Sequence, residues 1–75
     1  MTSNLDPKSV GERLQHFREV RGLTRAALSL KLGISKEQLA EMEAGKRELT
    51  KENAEILKET FSLDIAWLFG GDVPE

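Results

Sequence analysis

The sequence predicts an all-α domain of five short helices. Three observations lead there. No segment alternates apolar and polar residues long enough for a strand, whereas apolar residues recur at helical spacing along the whole chain. Gly22, Gly33, Gly45 and the pair Gly70-Gly71 each stand where such a run ends, a position that favours a left-handed backbone. Thr24, Ser35, Thr50 and Asp64 each stand where a new run begins, and their side-chain oxygens can accept from the free N–H groups of a first turn.

Taken in order, the first helix starts after Pro7 and stops at Gly22, with Val10, Leu14, Phe17 and Val20 as its apolar face and Arg13, Arg18 and Arg21 between them. Thr24 caps the second, in which Ala27, Leu28 and Leu32 face inward, and Gly33 ends it. Leu30 falls on its outer side, where the pattern gives it no role. Ser35 opens the third with Gln38 as its capping-box partner; Ile34, Leu39 and Met42 pack inward and Gly45 ends the helix. The fourth starts at Thr50 and buries Ala54, Leu57 and Phe61. Ser62-Leu63-Asp64 breaks the pattern, and Asp64 caps a last short helix carrying Ile65, Trp67, Leu68 and Phe69, with Trp67 read as core. Residues 1–8 are expected to form a flexible arm, 9–71 the domain and 72–75 a flexible tail.

Seventy-five residues suffice for one domain and leave no room for a second module. The apolar content of 39% and charged content of 32% are those of a folded chain, although one core of this size rarely supplies more than about 3–5 kcal/mol. With no Cys and only His16, neither a disulfide nor an ordinary zinc site can stiffen it, so no metal or cofactor is expected. His16 sits one helical position from the apolar face and reads as a boundary residue. The first eight residues lack a signal-peptide apolar stretch, and no apolar run approaches the roughly 18 residues of a membrane span. The expectation is a cytoplasmic chain without a membrane partner. An enzyme is the weakest reading: there is no Cys nucleophile, no second His and no Gly-rich phosphate loop, and the Glu residues recur at helix-surface spacing.

The formal charge of −2 argues against a polyanionic partner until its distribution is considered. Residues 1–47 hold nine bases against six acids, a balance of +3, and residues 48–75 hold two bases against seven acids, a balance of −5. The chain is electrically polarised. Within its basic part, residues 24–45 read as a short helix, a glycine turn and a second helix with a polar outer face formed by Lys36, Glu37, Gln38, Ala40, Glu41 and Ala44. That is a helix-turn-helix arrangement, and a protruding helix of this width fits the DNA major groove. The same spacing also describes a helical hairpin of any small bundle.

Gly22-Leu23-Thr24-Arg25, Leu32-Gly33-Ile34-Ser35 and Glu41-Met42-Glu43-Ala44-Gly45-Lys46-Arg47, in this order, resemble the Cro/CI-type (XRE-family) helix-turn-helix of phage repressors and bacterial regulators. Val10-Gly11-Glu12-Arg13-Leu14 resembles that family's first-helix opening and Ile65-Ala66-Trp67-Leu68-Phe69-Gly70-Gly71 its fifth-helix ending, so the resemblance spans about residues 9–71. It implies a five-helix, lambda-repressor-like domain that binds double-stranded operator DNA, usually as a homodimer, with the third helix in the major groove.

By resemblance, Lys36, Glu37 and Glu41 match the main base-reading positions, with Gln38 and Ala40 in support. Family members often carry Gln, Asn, Ser or Arg at these places. A carboxylate can accept from cytosine N4 and Lys36 can donate to guanine, each worth about 1–3 kcal/mol of discrimination; alternatively the two Glu residues are solvated and lower affinity. Thr24, Arg25, Lys46, Arg47 and Lys51 match phosphate-contacting positions, against a reading as ordinary surface charge. Arg18 and Glu43 match an internal ion pair, against a direct Arg18–phosphate contact. Ile65, Ala66 and Phe69 match the two-fold interface, unless Phe69 folds back onto the first helix and pairing occurs on DNA alone.

The leading expectation is therefore a sequence-specific transcriptional regulator, a repressor or Cro-like protein controlled by its concentration, by operator arrangement or by another protein. The alternative from a different class is a protein-interaction module, such as an antitoxin or an adaptor, which the carboxylates of the third helix and the acidic C-terminal half favour.

Overall fold

A computed structural model describes residues 7–69, which form α1 (Pro7–Val20), α2 (Arg25–Leu32), α3 (Lys36–Glu43), α4 (Lys51–Phe61) and α5 (Ile65–Leu68), with no strand among them. Helices 2 to 5 begin at the side chains that the sequence marks. Thr24 Oγ1 accepts from the Ala27 N–H at 3.0 Å, and Thr50 Oγ1 accepts from the Asn53 N–H at 3.1 Å. Ser35 and Gln38 bond reciprocally, each at 3.0 Å, as a complete capping box. Asp64 Oδ1 accepts from the Ala66 and Trp67 N–H groups. Each cap is worth about 0.5–2 kcal/mol, which matters when the helices span only four to fourteen residues.

The core is built around five leucines, one from each helix: Leu14, Leu28, Leu39, Leu57 and Leu68 are all fully buried. Val10, Phe17, Leu32, Met42 and Ala54 extend it. α1 lies against α3 and α5, α2 against α3 and α4, and α4 against α5. Gly11 allows the α1–α3 approach, since a Cβ there would lie 2.2 Å from the Met42 carbonyl oxygen. Any side chain would push the two helices apart.

Several expectations are corrected. α1 starts at Pro7, so the last two residues of the expected arm are helical; proline suits a first helical position because its missing N–H would be unpaired there. Val20 is 68% exposed. At 100° per residue it lies about 80° round the helix from Val10. On α2 Ala27 is exposed and Ser29 buried instead, because Ser29 satisfies its hydroxyl by donating to the Ala26 carbonyl. Phe61 and Trp67 are half-buried rather than core; Phe61 meets Phe17 edge to face at 5.4 Å. The expected tail and Gly70-Gly71 lie outside the described residues. Among the described residues no helix is long and apolar enough to cross a membrane, and no cluster of His, Asp and Glu could hold a metal.

Candidate nucleic-acid interface

α2 and α3 are joined by a tight reversal. Gly33 adopts φ 72°, which a residue with a Cβ takes only with strain, and the Gly33 and Ile34 N–H groups donate back to Leu30 and Ser29 carbonyls. α3 then packs with Leu39 and Met42 inward. Its opposite face, centred on Glu37, Glu41 and Ala44, is exposed, and Lys36 is exposed at its first turn. Gln38 and Ala40 flank it and are half-buried. Gln38 Oε1 is committed to the Ser35 N–H, so its amide NH2 is the group left to donate outward.

Glu41 does not stand alone on this face, because Arg47 Nε donates to its Oε1 at 2.9 Å. Two residues expected to touch DNA separately therefore form one unit of opposite charges, which lowers the electrostatic cost of a carboxylate near phosphates. Among the described residues Lys36 and Glu37 make no ion pair. Thr24, Lys46 and Lys51 are exposed around the α2 start, the loop after α3 and the α4 start.

Glu43, in the last turn of α3, is almost completely buried and accepts from two arginines. Arg18 bonds it through Nε at 2.7 Å and Nη2 at 3.3 Å, and Arg25 Nε donates to Oε1 at 2.9 Å. The Arg18–Glu43 ion pair ties α1 to α3, and Arg18 Nη1 also holds the Leu23 carbonyl at 2.9 Å. Arg25, expected as a phosphate contact, is the addition to that pair. Among the described residues no buried side-chain polar atom lacks a partner.

The sequence model of the helix-turn-helix family HTH_3 matches residues 14–68, from the middle of α1 to the end of α5. The chain belongs to that family. Its fold is similar to the P22 c2 repressor protein, solved with a synthetic operator, at 27% identity and TM-score 0.74, over 84% of this chain and 96% of that one. It is also similar to the restriction-modification controller protein C.AhdI from Aeromonas hydrophila, at 24% identity and TM-score 0.73, over 83% and 94%. The clp gene regulator ClgR from C. glutamicum matches at 24% identity and TM-score 0.75, over 88% and 86%. No curated protein matches by sequence.

Seen as a helix-turn-helix domain, the chain uses its arginines differently from the charge count. Besides Arg18, Arg21 Nη2 donates to the Phe61 carbonyl at the end of α4 at 2.8 Å and lies over the Phe17 and Phe61 rings. Arg13 donates to the Trp67 carbonyl and stacks over its ring. Arg13 and Arg18 on α1 and Arg21 just after it thus fasten other elements, and the basic balance of residues 1–47 overstates the charge offered outward. Asn53, buried on α4, donates to the Leu32 carbonyl at 3.3 Å and closes the end of α2. Only the i+3 spacing from Thr50 signalled it in the sequence.

Ala66 is exposed, and Ile65 and Phe69 are half-buried. Phe69 lies between two hollows, one shared with Val10, Leu14 and Met42 and the other with Ala54 and Ile65. It thus borders α1 residues across one hollow and α4 and α5 residues across the other.

Proposed function

We propose that this helix-turn-helix protein is a sequence-specific transcriptional regulator that binds operator DNA through the outer face of α3, as a homodimer acting in the cytoplasm, without catalysis. One observation carries the reading: α3 is anchored by Leu39, Met42 and Glu43 on one side and leaves Glu37, Glu41 and Ala44 exposed on the other. Family membership and the likeness to a repressor solved on an operator support it. In this reading Lys36, Glu37 and Glu41 read bases with Gln38 and Ala40 alongside, and Thr24, Arg25, Lys46, Arg47 and Lys51 approach phosphates. Ile65, Ala66 and Phe69 pair two copies, whose recognition helices enter half-sites about one helical turn, roughly 34 Å, apart. Repression then follows from occupancy of a promoter.

Selection of bound sequences from a random duplex pool, followed by titration across salt, tests this. A two-fold symmetric site with strongly salt-dependent affinity is expected. Absence of any salt-dependent duplex shift would instead favour the interaction-module reading, for which the exposed carboxylates of α3 speak.

A further inference from the structure

We infer that Glu43 is a positioning residue for DNA: its buried carboxylate fixes one edge of the Arg25 guanidinium so that the other edge meets a single backbone phosphate. The inference rests on the DNA-binding reading above. Glu43 is 1% exposed and held from its other side by Arg18, so its oxygens form a rigid anchor. The two arginines it binds differ in what remains. Arg18 is buried and spends its Nε, Nη1 and Nη2 on Glu43 and the Leu23 carbonyl. Arg25 spends Nε on Glu43 and stays 45% exposed.

A guanidinium has five donors in a rigid plane, so engaging Nε also sets the direction of both Nη groups. Arg25 is the first residue of α2, beside the Thr24 cap, where the helix dipole adds to the attraction for an anion. Glu43 and Glu19, the latter 4.0 Å from Arg18 Nη2, balance the two guanidinium charges, so the attraction for a phosphate lies in the free Nη donors of Arg25 at the helix start. Arginine suits the task because its planar fork can give one edge to Glu43 and the other to the phosphate, whereas a lysine ammonium has three donors on one nitrogen and no fixed second edge. Fixing the side chain beforehand also removes rotamer freedom that binding would otherwise consume.

The full chain is titrated with its selected duplex across a salt series as wild type, Arg25→Lys, Arg25→Gln and Glu43→Gln, with folding checked by thermal melts. Both Arg25 variants are expected to bind about tenfold more weakly and to flatten the salt slope by about 0.9 per bound chain. Selected sequences should not change, because a phosphate contact carries no base information. Wild-type affinity and slope in Arg25→Lys, or in Arg25→Gln, would overturn the inference and leave the DNA-binding reading standing. A wild-type chain that binds no duplex overturns both. Glu43→Gln should match the slope of Arg25→Gln, and a wild-type slope in a folded Glu43→Gln overturns the inference; should that variant fail to fold, Arg25→Lys decides, because it keeps the charge and loses the Nε held by Glu43.

Discussion

Arg47 Nε lies 2.9 Å from Glu41 Oε1 beside the exposed face of α3, with the two side chains 45% and 47% exposed. An exposed pair of this kind contributes about 0–1 kcal/mol, so Glu41→Gln should hardly move the urea midpoint. Its effect belongs at the DNA. We expect Glu41→Gln to change the preferred base at one half-site position by about 1–3 kcal/mol, read by selection from a random pool. Identical selected sequences would return Glu41 to the solvated surface.

Gly11→Ala sets two effects against each other. Helix propensity favours alanine by about 1 kcal/mol, but the new methyl would sit 2.2 Å from the Met42 carbonyl oxygen, and overpacking costs about 1–3 kcal/mol. The steric term is larger, so chemical denaturation should show a net loss. A stabilised variant would mean that α1 and α3 separate freely.

Arginines that fasten elements and lysines that do not should separate in experiment. Arg21→Ala removes an exposed charge-assisted bond to Phe61 and two ring contacts, a loss of about 1 kcal/mol in stability, and should leave the salt slope of DNA binding unchanged. Lys46→Ala should do the reverse, lowering the slope by about 0.9 with an unchanged melting temperature. A slope change in Arg21→Ala would place that residue at the phosphate backbone.

In a two-fold interface each residue can meet its own copy. Ala66→Glu is therefore expected to keep the melting temperature of the isolated chain while abolishing dimers in sedimentation and shortening the protected DNA to one half-site. A full-length footprint with the variant would move the pairing surface elsewhere.

The helix order was legible because local chemistry settles it: Thr24, Ser35, Thr50 and Asp64 announce their helices, and each caps as its residue type suggests. The Arg18–Glu43 contact was legible by resemblance. Ser29 and Asn53 were not, because each enters the core on the strength of one carbonyl that accepts from it, and periodicity says nothing of hydrogen-bond partners. Arg25 illustrates the same limit at the site. Its position matched a phosphate contact, while the carboxylate that receives its Nε lies 18 residues away on another helix. Long side chains end where tertiary neighbours receive them, so the net charge of a segment is a poor guide to the charge it presents.

The meeting of five leucines, one per helix, has a consequence for anyone who would use α2 and α3 by themselves. A peptide containing only α2 and α3 retains Leu28 and Leu39 and loses three of the five side chains against which they close. Helices of eight residues are too short to persist unaided in water. Such a peptide should be a coil in circular dichroism: the reading head cannot be excised, grafted or shortened without the rest of the domain.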